Sequence, residues 1–187
     1  MLKKVVVIGP ESTGKTTLCR QLATYFQTQW CPEFAREYLL EHGMDYSYDD
    51  LLTIAKGQLD LEEKYTSNIQ HSTSNLQHPT SNNQSLLFID TDMQVMKIWC
   101  EFVFGKCHQL ILDQIAARKY DLYLLCNIDL PWIKDELREY PDIKQRKQLY
   151  SIYRQTMMHQ STPWIDISGS YDERLQKAIA TVANMLD

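Results

Sequence analysis

Near the start of the chain a run of β-branched residues, Val5-Val6-Val7-Ile8, leads straight into Gly9-Pro10-Glu11-Ser12-Thr13-Gly14-Lys15-Thr16. A short, unbroken apolar run of this kind is the pattern of a strand buried on both faces. The stretch from Gly9 to Thr16 matches G-x-x-x-x-G-K-[ST], and it stands between that strand and a helical pattern, the context that gives the motif its meaning. The glycines let backbone N–H groups turn toward phosphate oxygens, and the helix N-terminus adds a favourable dipole. On this reading Gly9, Glu11, Ser12, Thr13, Gly14, Lys15, Thr16 and Thr17 form the binding loop for a nucleoside triphosphate. Lys15 reaches the β- and γ-phosphates and Thr16 ligates Mg²⁺, while Thr17 reads more as a helix residue.

The rest of the chain alternates short apolar runs with helical periodicity. Residues 31–34 read as the end of a second strand; 86–90, 121–126 and 164–167 read as three more. Helices are expected at 15–29, 36–42, 47–65, 92–104, 107–117, 132–140, 143–159 and 173–186. Ser47 with Asp50, and Thr91 with Gln94, carry the spacing of capping boxes. Strands alternating with helices predict an α/β fold with a parallel sheet, and 187 residues fit a single domain over 1–187.

Two segments interrupt the regular pattern. Residues 66–85 read TSNIQHS-TSNLQHP-TSNNQS, a repeat of period seven with only Ile69 and Leu76 apolar. So polar a stretch buries too little surface to offset its ordering entropy, which predicts a disordered surface insertion. Residues 134–154 carry Arg138, Lys144, Arg146 and Lys147. They form either a lid that brings Arg138 and Arg146 to a transferring phosphoryl group or a solvated basic helix face.

Composition removes several classes of function. The net charge is −5, which disfavours a binder of nucleic-acid backbones. No stretch approaches the 18 or so apolar residues of a membrane span, and the N-terminal apolar run is too short for a signal peptide. A cytoplasmic protein is expected. Five cysteines, at 19, 31, 100, 107 and 126, show no zinc spacing and read as free thiols. Asn127-Ile128-Asp129 lacks the lysine of a guanine-reading motif, and Asp90-Thr91-Asp92-Met93 is no GTPase switch. A small-molecule kinase and a partner-binding regulatory ATPase are the classes that remain.

Strand ends at the carboxyl edge of a parallel sheet form the ligand crevice. Two clusters of charge fall there. Glu33 and Arg36 follow the second strand, where Glu33 is either a base for an incoming hydroxyl or a surface partner of Arg36. Asp90 and Asp92 follow the third. Asp90 suits the Mg²⁺ shell, through water. With Thr91 as the cap, Asp92 is a first-turn residue, either a dipole partner or an acceptor contact; in a kinase, Glu33 or Asp92 would be the catalytic group that accepts the proton of the acceptor hydroxyl.

GPESTGKTTL, PEFAREY, FIDTD, IDLPWIKDELR, KQR and ISGSYDERL resemble, in the same order, the ribosylnicotinamide kinase domain of NadR-type bacterial NAD-biosynthesis proteins. The resemblance spans nearly the whole chain. It implies a P-loop kinase-like three-layer fold, with five parallel strands in the order 2-3-1-4-5 and helices on both faces. It also implies ATP-dependent phosphorylation of the 5′-hydroxyl of nicotinamide riboside. By resemblance Lys15 and Thr16 serve phosphate and Mg²⁺, Asp90 is the acid after the third strand, Arg138 and Arg146 belong to the cover, and Tyr171 and Asp172 lie at the adenine. The chain departs from the family at Pro32, where members carry Trp before the glutamate matching Glu33. Trp30 or Trp99 is then expected to supply the aromatic contact. Such proteins usually carry an adenylyltransferase domain ahead of the kinase, whereas this chain starts at the P-loop strand.

Overall fold

Residues 2–74 and 85–187 are described by the computed structural model of the chain. Five parallel strands form one sheet in the order β2-β3-β1-β4-β5. They are β1 (Lys3–Ile8), β2 (Gln29–Cys31), β3 (Leu86–Asp90), β4 (Leu122–Cys126) and β5 (Trp164–Ile167). Seven helices accompany them among the described residues: α1 (Lys15–Tyr25), α2 (Phe34–His42), α3 (Tyr48–Ser74), α4 (Met93–Phe104), α5 (Gln109–Ala117), α6 (Ile143–Met158) and α7 (Tyr171–Leu186).

The period of two in a strand divides the core into layers. Val5, Val7, Phe88 and Leu124 face one way and pack with Leu18 and Leu22 of α1 and Ala178 and Val182 of α7. Val6, Ile8, Leu87, Ile89 and Leu125 face the other way, toward Val95 and Ile98 of α4 and Leu149, Tyr153 and Met157 of α6. A third cluster fills the space among α2, α3, α4 and α5, with Leu39, Ile54, Met96 and Ile111 at its centre. Both faces of the sheet are therefore covered, which is why β1, β3 and β4 read as unbroken apolar runs. Among the described residues no helix is long and apolar enough to cross a membrane, and all five cysteines are free thiols.

Several expected boundaries move: α1 ends at Tyr25 rather than 29, β2 is Gln29–Cys31 rather than 31–34, and α2 begins at Phe34 rather than 36. Two corrections go further. Helix α3 does not stop at Tyr65 but continues to Ser74. Leu61, Tyr65 and Ile69 continue its apolar stripe at i, i+4 spacing, and Ile69 is buried against the sheet. The first repeat unit is thus a helix end. Residues 75–84, most of the other two units, lie outside the described residues. The second correction concerns 132–140, expected as a helix. It is a non-helical strap joining β4 to α6. Pro131 and Pro141 bracket it, and three of its backbone N–H groups, those of Ile133, Glu139 and Tyr140, bond to side chains of the P-loop, while Arg138 N closes a single local turn onto Asp135 O.

Helix ends follow their local chemistry. Ser47 and Asp50 cap each other at the start of α3, and Ser170 with Glu173 forms a capping box at α7. This second box starts α7 at Tyr171, two residues before the expected 173. At α4 the cap is Asp92, not Thr91. Thr91 has φ 77°, far from the extended conformation a cap requires. Asp92 is extended, and its carboxylate accepts from Gln94 N and Val95 N.

Candidate active site

The P-loop spans the end of β1 and the start of α1. Gly9 stands at φ +142°, and a Cβ there would lie 2.7 Å from the Cys126 carbonyl oxygen of β4. A side chain would push the loop off the sheet, so glycine is required on steric and dihedral grounds alike. Thr13 is buried and donates through Oγ1 to Pro10 O at 2.7 Å. Lys15 Nζ also donates to Pro10 O, at 3.1 Å, folding the ammonium back over the loop. Arg174 of α7 braces the loop from below: it is 3 % exposed and donates to Thr13 O, Asn127 O and Gly169 O.

Thr16 Oγ1 donates to Asp90 Oδ2 at 2.5 Å, joining the P-loop to the end of β3. Asp90 is fully buried, and its Oδ1 has no hydrogen-bond partner. Burial, reinforced by the charge of Glu33, pushes its carboxyl up to about 7; Lys15 and the Thr16 hydroxyl pull the other way. A buried, orphaned carboxylate oxygen beside a P-loop threonine hydroxyl is an oxygen donor set that suits Mg²⁺.

Glu33 is the residue before α2 and its side chain does not cap that helix. Gln58 fills that role instead. This buried residue of α3 accepts from Phe34 N at 2.7 Å through Oε1 and donates to Pro32 O through Nε2. The Glu33 carboxylate is thereby left to line the cleft, holding one contact from Thr91 Oγ1 at 3.2 Å. Gln58 was not foreseeable, because its partners lie 24 and 26 residues away in sequence.

Asp92 does not join the cleft, which corrects its expected catalytic and substrate-binding roles. It is 2 % exposed. Besides capping α4 it accepts from Tyr123 OH at 2.6 Å. Burial pushes its carboxyl up to about 6, against the pull of those hydrogen bonds. Its oxygens are committed to the scaffold.

The cleft itself is lined by the P-loop with Lys15, Thr16 and Thr17, by Glu33 and Arg36, by Trp99 and Phe102 of α4, by Arg138, Glu139 and Tyr140 of the strap, and by Tyr153 of α6. The strap is tied on both sides. Toward the P-loop, Ile133 N and Arg138 donate to Ser12 Oγ, and Glu139 N and Tyr140 N donate to the Glu11 carboxylate. Toward the opposite wall, Asp135 accepts both guanidinium nitrogens of Arg36 at 3.3 Å. Glu139 accepts from Tyr46 OH, which in turn accepts from Trp99 Nε1.

Arg138 and Arg146 both reach Ser12 of the P-loop. Arg146, on α6, is 4 % exposed and donates weakly to Ser12 O and Leu130 O at 3.5 and 3.4 Å, while its Nε has no partner. Both guanidiniums lie over the Trp132 ring, at 6.0 and 5.5 Å from its centroid. Of the two tryptophans expected to supply an aromatic contact, Trp99 lines the cleft, whereas Trp30 packs on the α1–α7 side of the sheet. Tyr171 lies outside the cleft, its ring 3.3 Å from where a Cβ on Gly14 would be. Asp172 is exposed in the first turn of α7.

Comparison with known proteins bears on the whole arrangement. The AAA domain family matches residues 4–174. The chain is 26% identical over 193 residues to the trifunctional NAD biosynthesis/regulator protein NadR of Escherichia coli strain K12, and 24% identical over 193 residues to its counterpart from Salmonella typhimurium strain LT2. Each match covers 99% of this chain and 43% of the relative, so the chain spans less than half the length of these curated relatives. A crystal structure of NadR in complex with NR superposes with a TM-score of 0.75 at 24% identity, covering 98% of this chain and 49% of that one. Thymidylate kinase from Ehrlichia chaffeensis superposes with a TM-score of 0.65 at 12% identity, covering 97% of this chain and 98% of that one. The fold is that of P-loop kinases, with the strand order the resemblance implied.

Proposed function

Since the chain belongs to the AAA domain family, we propose that it is an ATP-dependent small-molecule kinase. Its leading acceptor is nicotinamide riboside, phosphorylated at the 5′-hydroxyl to nicotinamide mononucleotide. One observation carries this reading: Glu33, relieved of capping duty by Gln58, lines the same cleft as Lys15 and Thr16. A free carboxylate across from a phosphate loop is what an acceptor hydroxyl needs in order to lose its proton. The likeness to NadR, one of whose structures holds NR, supports the choice of acceptor.

In this mechanism the P-loop amides and Lys15 hold the β- and γ-phosphates, and Arg138 and Arg146 face the charge that spreads over the transferred phosphoryl. Thr16 and Asp90 would hold Mg²⁺, which supplies charge neutralisation between the phosphates when bound. Glu33 orients the acceptor hydroxyl and takes its proton as the new P–O bond forms and the bond to the β-phosphate breaks. Trp99, Phe102 and Tyr140 offer flat surfaces for the base, and the carboxylates of Glu33 and Glu139 favour a ring that carries positive charge. This aromatic wall answers for Pro32, which leaves the position before Glu33 without an aromatic ring.

The test is a panel of ribosides with ATP and Mg²⁺, read by product mass. Gain of one phosphoryl on nicotinamide riboside is expected. Turnover of other nucleosides alone would move the acceptor to another base, and slow ATP hydrolysis indifferent to every riboside would favour a regulatory ATPase.

A further inference from the structure

Glu11 is an awkward residue for a phosphate loop, since a carboxylate among N–H groups meant for phosphate opposes an incoming triphosphate. Its geometry resolves the conflict. Both of its oxygens are already engaged, one by Glu139 N at 3.0 Å and the other by Tyr140 N. These donors come from a strap with no helix of its own to satisfy them, and the next loop residue, Ser12, takes Ile133 N at 3.0 Å. On the P-loop side the strap is thus held by two side chains, those of Glu11 and Ser12. Arg138 sits between these anchors, with its guanidinium on Ser12 Oγ at 3.3 Å and above Trp132.

We propose that Glu11 is a positioning residue: its carboxylate latches the 133–140 strap to the phosphate loop and so sets Arg138 over the site before nucleotide arrives. The inference rests on the kinase reading for its catalytic consequence but not for the latch itself. Both carboxylate oxygens of Glu11 are engaged by the strap. The residue acts through Arg138, and the two charge-assisted contacts to backbone N–H are of the strong class. A carboxylate that merely crowded the phosphates would have the opposite signature, because its removal would tighten ATP binding and leave turnover intact or raised.

Hydrogen exchange on the full chain reads the latch directly and requires no turnover. In Glu11→Ala the amides of Glu139 and Tyr140 should exchange at least about tenfold faster, the factor for one lost hydrogen bond to a charged group. Glu11→Gln keeps one acceptor and should fall between Ala and the wild type. In the kinase assay Glu11→Ala should lower kcat by about 10- to 100-fold, with a smaller change in the KM for ATP. Combined with Arg138→Ala it should cost no more than Arg138→Ala alone, since both remove one device. Unchanged exchange at 139 and 140 in Glu11→Ala overturns the latch, as does a double variant whose losses multiply. Should Glu11→Ala fold poorly, Glu11→Gln carries the same two readouts. Wild-type protein that phosphorylates no riboside removes the kinase reading, while the exchange result still decides the latch.

Discussion

The phosphate-facing half of the cleft comes from one continuous stretch, residues 9–16, between a strand and a helix. The half facing it draws Glu33 and Arg36 from the start of α2, Trp99 and Phe102 from α4, Arg138 and Tyr140 from the strap and Tyr153 from α6. The first half is shaped by backbone, and its donors are N–H groups whose direction the turn dictates. The second half is shaped by side chains, three of them supported from far away in sequence: Gln58 for the turn at Glu33, Tyr46 for Trp99, Asp135 for Arg36. A site made of backbone tolerates change around it, whereas one made of side chains depends on every support. The two halves should therefore respond differently to substitution.

The largest effect should come from the backbone half, at its one indispensable side chain. Lys15→Ala should lower phosphoryl transfer by about 10³-fold or more, since it removes a fixed cation from charge that develops in a low-dielectric site. Steady-state product formation checks this, with thermal unfolding expected to stay near wild type. This half was legible because motif, strand and helix lie within one window of sequence. The opposite half was legible only as isolated residue types. Glu33, Arg36 and Trp99 were singled out and line the cleft, but Tyr140, Phe102 and Tyr153 carry no sequence signal that separates a cleft aromatic from a core one.

Asp92 sharpens the comparison, because it stands next to the site and belongs to the scaffold. Its place just after the third strand made it an acceptor candidate. A single torsion decides otherwise: Thr91 at φ 77° shifts the cap of α4 one residue on and turns the Asp92 carboxylate inward. Asp92→Ala should destabilise by about 3 kcal/mol, combining a lost cap with an unpaired Tyr123 hydroxyl. Asp92→Asn should cost less than about 1.5 kcal/mol and leave kcat and KM close to wild type. A pH series adds a sign. Burial raises this carboxyl to about 6 in the folded state, so the folded protein binds the proton more tightly than the unfolded chain. The group's stabilising contribution is full below about pH 4 and fades as pH rises toward about 6, by up to about 1.4 kcal/mol per unit. Denaturant unfolding should show this slope in the wild type and a flatter one in Asp92→Asn.

Trp99 tests whether the side-chain half holds the base. Its ring lines the cleft and its indole N–H is fixed by Tyr46 OH at 2.9 Å. Base stacking on an aromatic side chain is worth about 1–3 kcal/mol. Trp99→Ala should accordingly raise the KM for the acceptor by about tenfold, with the KM for ATP unmoved. Trp99→Phe keeps a flat face and loses the tether, so its KM should rise only a few-fold. An equal rise for ATP and acceptor would mean that the two halves are not separable in the way their construction suggests.

The smallest effect is expected at Arg36, and it defines how much of the strap is held from the acceptor side. Its guanidinium meets Asp135 at 3.3 Å, but the Arg36 side chain is 49% exposed, and a pair so open to solvent is worth at most about 1 kcal/mol. Asp135 is anchored first by the N–H of Leu137, which holds its carboxyl below the usual range, with Arg36 adding to that pull. Arg36→Ala should therefore leave the strap in place and change the acceptor KM by less than about fivefold, with hydrogen exchange at 139 and 140 unaltered because Glu11 still holds those amides. A loss beyond about a hundredfold in kcat/KM, with exchange intact, would show that Arg36 leaves Asp135 to grip the acceptor itself. The side-chain half would then carry an anion contact of its own, and the acceptor would have to present a group for it.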